Sequence, residues 1–174
     1  LEYYIIEPDG TMSHRETIAT PRSTMIHDFQ ITETDAIFWD LPVVFDLDLA
    51  IQYINDPLAG AMPYQWKPEF GSRIGVMPLA GGADRIQWFD IDPCYVFHPM
   101  NAFDTADGKV VCDMMKYPVA PLFPAPDGRP ASGAPPKATL VRWTFDPKGA
   151  SDSFSERPLD DHAGEFPRLD ERFT

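Results

Sequence analysis

Apolar residues along this chain come in short runs, and turn-forming residues separate the runs. LEYYIIE and HRETIAT flank PDGT, where Pro8 presets its own φ and Gly10 is free to take a positive one, a combination that predicts a hairpin. IHDFQIT and AIFWDLPVVFD, separated by ETD, alternate in part between apolar and polar positions and predict a second strand pair. SRIGVMPL and RIQWFDID joined by AGGAD, and YVFHPMNAFD and KVVCDMMKYP joined by TADG, give two further hairpins. Residues 118–137 are proline-rich, lack any period and are expected to form a long loop, after which ATLVRWTFD resumes as a strand and GEFPRLD closes the pattern. The best helix candidate is Leu47–Asn55, a short one.

Strand pairs at short spacing with no alternation of strand and helix point to an all-β fold, a sandwich, a barrel or a propeller. The sequence carries no WD or kelch signature, so the pattern leaves these three open. Nineteen prolines and eleven glycines agree with short strands and many turns, because proline interrupts both helices and central ladders.

A chain of 174 residues suits one ordinary domain, and 44% apolar with 13% aromatic residues can fill its core. A net charge of −13 argues against a nucleic-acid surface, which needs clustered Lys and Arg. No run reaches the roughly 18 apolar residues of a membrane span, and LEYYIIEPDG lacks the features of a signal peptide, so a cytoplasmic location is expected. The chain starts at Leu1 and stops at FPRLDERFT, which suggests a piece of something longer. Cys94 and Cys112 show neither a disulfide framework nor zinc spacing and are expected to be buried and reduced.

Candidate chemistry rests on two of the four histidines. His27 in MIHDFQIT and His98 in CYVFHPMNAFD sit inside apolar, strand-like runs. An unpaired imidazole there would cost a few kcal/mol, so each needs a hydrogen bond or a metal. Imidazole is the commonest ligand for transition metals, and its far nitrogen normally needs a carboxylate or carbonyl. A lone histidine on a strand is more often a hydrogen-bonded core residue, and the residue pattern leaves both readings standing. Asp28 follows His27 directly, and neighbours on a strand point to opposite faces, so a turn or strand-edge hydrogen bond is the expected role for it. Phe29, Phe38, Trp39, Trp88, Phe89, Phe97 and Phe103 can line an apolar tunnel or fill a core, and core is expected for most of them.

Three segments carry a resemblance. MIHDFQITETDAIFWDLP resembles the stretch of the carotenoid cleavage oxygenase family in which a metal-binding histidine precedes Asp or Ser, Phe, two further positions and Thr. DPCYVFHPMNAFD is similar to the family's next metal segment, a histidine after Phe and before an Asn-Ala-aromatic-acid run. GEFPRLDERF is similar to its Glu-Phe-Pro-Arg segment, and RIGVMPL fits the strand between the two histidines.

The resemblance implies a seven-bladed β-propeller with Fe(II) on its axis, held by four histidines from different blades, three of them oriented by glutamates. His27 and His98 correspond to two of the iron ligands and Glu165 to one of those glutamates. His14 in SHRET and His162 in LDDHAGE do not match the contexts of the other two ligands, which are expected outside residues 1–174. The chain is then two to three blades of a single catalytic domain. The implied activity is Fe(II)-dependent dioxygenation that cleaves a carbon–carbon double bond of a carotenoid or apocarotenoid, with a stilbene as the alternative substrate. Retinoid isomerisation fits an acidic chain with compact loops less well. The implied partners are an apolar polyene or stilbene and O2, with no nucleic acid, and with peripheral membrane contact for substrate uptake. A metal-free propeller that binds a protein or ligand is the reading of a different class, with His27 and His98 structural.

Overall fold

The computed structural model describes residues 1–56, 62–150, 152–170 and 172. Its elements run β1 (Glu2–Ile6), β2 (Met12–Thr17), β3 (Gln30–Ile31), β4 (Asp35–Asp40), β5 (Val43–Phe45), α1 (Leu47–Asn55), β6 (Tyr64–Trp66), β7 (Ser72–Pro78), β8 (Gln87–Ile91), β9 (Tyr95–Asp104), β10 (Val110–Tyr117), β11 (Thr139–Phe145) and β12 (Phe154–Ala163). The strands form two four-stranded sheets, β3-β4-β7-β8 and β12-β11-β10-β9, and two ribbons, β1-β2 and β5-β6. Among the described residues every strand pairing is antiparallel. Gly10 and Gly108 take φ of 86° and 82° in the turns PDGT and TADG, as their hairpins require.

The burial of β4 explains why its alternation was only partial. Ile37 and Trp39 face the second sheet and join Ile74, Phe89, Cys112, Trp143 and Phe145 in the main core. Trp39 meets Trp143 edge-on at 5.7 Å, and Phe89 meets Phe145 at 5.1 Å. Ala36 and Phe38 point the other way, into a smaller cluster with Tyr3, Ile18 and Met77 beneath the β1-β2 ribbon. A strand covered on both faces needs apolar residues at successive positions.

That smaller cluster leaves no room at Gly75, where a Cβ would lie 2.6 Å from Ile86 Cδ1 and 2.8 Å from the Trp88 indole. The indole cannot move away freely because the Arg73 guanidinium stacks on it at 3.9 Å. Gly75→Ala is therefore expected to destabilise the fold by about 1–3 kcal/mol through overpacking, read as a lower urea midpoint with an unchanged slope.

Helix α1 occupies the predicted residues. Asp46 caps it, accepting from the backbone N–H of Asp48 at 3.1 Å and of Leu49 at 3.2 Å. Residues 118–137 form no strand, as expected. They are anchored by Phe123, which is buried, and by the Trp66 N–H donating to the Pro124 carbonyl at 2.8 Å, and they border a cleft of about 560 Å³. Cys94 and Cys112 are free and buried; burial raises both thiols, Cys94 to about 12, which keeps them protonated and unreactive.

The fold departs from the sequence reading in three places. AGGAD is part of a longer connection that includes a short 3-10 turn at Ala83–Arg85, although the hairpin it joins is present. FSERPLDDHA is a full strand, β12, and His162 lies on it and not in a loop. As the outer edge of its sheet it buries no side chain, so its sequence has no apolar period to detect, and an edge tolerates Pro158. In MIHDFQIT only Gln30 and Ile31 join a ladder, so His27 sits in an extended segment just before the strand and is exposed.

Candidate metal centre

His98 lies on β9, at one edge of its sheet. The ladder with β10 is irregular here: Asp113 faces Asn101, Met114 faces Pro99, and Lys116 faces Val96. Pro99 has no N–H to donate, so β9 bulges on both sides of it. Phe97 and His98 together oppose Met115 alone, and this extra residue turns His98 out of the regular alternation.

His27 reaches the same place from the segment that leads into β3. Its segment is held by the Met25 N–H, which donates to the Val43 carbonyl at 2.8 Å. One turn further on, β3 approaches β9: the Gln30 side-chain amide donates to the Asn101 carbonyl at 2.7 Å, and the Thr34 N–H donates to Asp104 Oδ2 at 3.2 Å. The His27 and His98 ring centroids end up 5.2 Å apart with the rings at 87°.

The hydrogen bonds of the two rings fix their tautomers. His27 Nδ1 is 3.1 Å from the Phe97 carbonyl, which can only accept, so Nδ1 carries the proton. His98 Nδ1 is 2.6 Å from Glu165 Oε2 and likewise donates. In its neutral form each ring then keeps its Nε2 lone pair free, the arrangement that metal-binding histidines need.

Glu165 sits in the turn after β12, next to Gly164, whose N–H donates to the Ala138 carbonyl at 3.2 Å. Its Oε2 accepts from His98 and also from the Phe166 N–H at 2.9 Å. Phe166 has a φ of 54°, uncommon for a residue with a side chain, and Pro167 after it disfavours the ordinary helical region. In this conformation its ring stacks on His98 at 4.2 Å with 28° between the planes. Behind the pair, Phe97 touches Tyr95, Tyr117 and Phe123 at centroid distances of 4.8, 6.0 and 6.2 Å, and Phe123 lines the cleft beside the proline-rich segment.

The structure thus brings His27, His98 and Glu165 together and leaves the other candidates elsewhere. Asp28 accepts from the Phe29 N–H at 2.8 Å, the turn role expected of it. His14 is 3.3 Å from Glu16, and His162 is 2.6 Å from Asp160 in an exposed cluster with Asp161. Of the aromatic residues weighed for a tunnel, Phe38, Trp39 and Phe89 are buried in the cores, whereas Phe29 and Phe103 are exposed. Sequence reasoning missed the Phe97 carbonyl, Gln30 and the Phe166 ring. Pro99 in the middle of a strand-like run was the one local signal that the strand must break its ladder beside His98.

The donor set fits a transition metal: two imidazoles with Nδ1 engaged, one backed by a carboxylate and one by a carbonyl, beside an aromatic wall.

The family model described as retinal pigment epithelial membrane protein matches residues 1–174. The carotenoid cleavage oxygenase of Mycobacterium tuberculosis is 32% identical over 206 residues, which cover 98% of this chain and 40% of that protein. The isoeugenol monooxygenase of Pseudomonas nitroreducens is 34% identical over 177 residues, covering 100% of this chain and 35% of that protein. The crystal structure of Pseudomonas brassicacearum lignostilbene dioxygenase superposes with a TM-score of 0.83 at 32% identity, covering 99% of this chain and 35% of that one. The chain therefore spans between 35 and 40% of the length of these proteins.

Proposed function

From the premise that this chain belongs to the carotenoid cleavage oxygenase family, we propose that the protein of which it is a part is an Fe(II)-dependent dioxygenase. It cleaves a carbon–carbon double bond of a carotenoid or apocarotenoid. The double bond and both atoms of O2 are consumed, and two carbonyl products form. The observation that carries this reading is the convergence of His98 on β9 with His27 from the segment that leads into β3, both with Nδ1 hydrogen-bonded.

His27 and His98 would hold the iron, which supplies one-electron chemistry toward O2 when bound. Glu165 keeps the proton on His98 Nδ1 and its charge makes that imidazole a stronger donor, while the Phe97 carbonyl does the first task for His27. Tyr95, Phe97 and Phe123 form an apolar wall that favours a conjugated hydrocarbon over water. The remaining iron ligands come from parts of the protein outside residues 1–174. Peripheral membrane contact for uptake of so apolar a substrate, in a cytoplasmic enzyme, belongs to the same reading; among the described residues no helix is long and apolar enough to cross a membrane.

A stilbene is the second substrate class, favoured by the similarity to the lignostilbene dioxygenase. The same bond cleavage on a shorter substrate would serve it. The test is iron analysis of the full-length protein with O2-dependent cleavage of a carotenoid, an apocarotenoid and a stilbene. Iron-dependent cleavage of one of them is the expected result. Absence of iron and of cleavage would favour the metal-free binding propeller.

Glu165→Gln keeps the hydrogen bond to His98 and removes the charge. In the full-length protein it is expected to fold normally and to lose about 10–100-fold in iron affinity or turnover. Chelator competition and steady-state rates check this.

A further inference from the structure

Among the described residues, two that are not glycine hold a positive φ: Leu122 at 70° and Phe166 at 54°. A Cβ makes this region costly, and residues kept there tend to mark a functional constraint. Burial does not repay the cost at Phe166, which is 72% exposed. Its N–H donates to Glu165 Oε2 at 2.9 Å, but a glycine has the same N–H to give. What the phenylalanine adds is its stack on His98, at 4.2 Å with 28° between the planes.

The imidazole needs such a contact because its hydrogen bond pins it at one atom only. Nδ1 donates to Glu165 Oε2 at 2.6 Å, yet a hydrogen bond accepts a broad range of directions, and the χ2 wells of histidine are broad. The ring can therefore rock while keeping that bond. A nearly parallel ring 4.2 Å away opposes the rocking, since tilting drives one edge of the imidazole into it. The face of a phenyl ring is also negative, so it favours an imidazole that shares the charge of a bound cation.

We propose that Phe166 is a positioning residue for His98: its left-handed backbone lays the phenyl ring flat against the imidazole and so fixes the plane in which Nε2 meets the metal. The strain and the contact belong together, because the backbone conformation that is costly for phenylalanine is the one in which its ring stacks on His98. Glu165 and Phe166 then act as one unit, the carboxylate setting the direction of the imidazole and the ring its tilt. The inference rests on the iron reading above, because an imidazole that meets no metal needs no fixed plane.

The test compares Phe166→Gly, Phe166→Leu and Phe166→Tyr in the full-length protein, reading Fe(II) affinity by chelator competition and the urea midpoint of the metal-free form. Phe166→Gly keeps the N–H and releases the backbone, so the midpoint should hold or rise while iron binding weakens about 10-fold. Phe166→Leu keeps apolar bulk without a flat face and should lose about as much. Phe166→Tyr keeps the ring and should bind iron within about twofold of the unaltered protein. Unchanged affinity in Phe166→Gly or Phe166→Leu, or a midpoint that falls in step with affinity, would overturn the assignment. His98→Ala separates the two levels. If it binds iron normally, the metal reading and the Phe166 role fall together; if it loses iron while Phe166→Gly does not, the Phe166 role alone falls.

Discussion

His98→Ala in the full-length protein is expected to reduce iron content to background and to abolish cleavage, with little change in the unfolding midpoint. The loss should exceed the roughly 10–100-fold expected when a partner behind a ligand is altered, because here the donor atom itself disappears. His98 is the better choice than His27 for this experiment. It is held on three sides, by the Glu165 carboxylate, the Phe166 ring and the His27 ring, so its Nε2 has a defined direction. The fold should tolerate the change because His98 is only partly buried and lies where the ladder is already interrupted. Iron analysis and urea unfolding of the same sample check both halves.

The largest expected effect on stability comes from Arg142→Met. Asp113 on β10 has a side chain only 3% exposed, and Arg142, directly opposite on β11, grips it with Nε at 2.7 Å and Nη2 at 2.8 Å. Removing the guanidinium leaves a carboxylate in the core with no counter-charge, a change that typically costs about 3–5 kcal/mol. Asp113→Ala should be milder, because the Arg142 side chain is 31% exposed and can turn toward water. The pair Asp113→Leu with Arg142→Met should recover most of the loss, since apolar residues of similar volume often replace a buried ion pair at little cost. Urea midpoints of the three variants, compared at equal slope, give the answer.

The all-β class and the propeller relationship were legible in the sequence because they rest on turn chemistry and on motifs. PDGT and TADG need a glycine at positive φ, and the helix forms at the Leu47–Asn55 candidate. The strand β12 was hidden because an outer edge selects no apolar face. At the candidate site, His27, His98 and Glu165 could be named from the resemblance, and the structure sets them side by side. The partner of His27 could not be named, since a backbone carbonyl leaves no trace in residue identity. Nor could Phe166, whose contact depends on a left-handed backbone that phenylalanine seldom adopts. The bulges around Pro99 stand between these cases: the proline signals an interruption, but not which side chain it redirects.

The bond from Gln30 to the Asn101 carbonyl bears on tolerance. Packing between Trp39 and Trp143 holds the two sheets together but has no preferred direction, so it permits one sheet to slip slightly along the other. A metal site permits far less, since its bond lengths hold to within about 0.2 Å. The Gln30 amide and the Thr34 N–H are directional, and they act as an alignment stop between two otherwise sliding surfaces. The sheets supply the strength of the join, and directional hydrogen bonds such as these supply its accuracy.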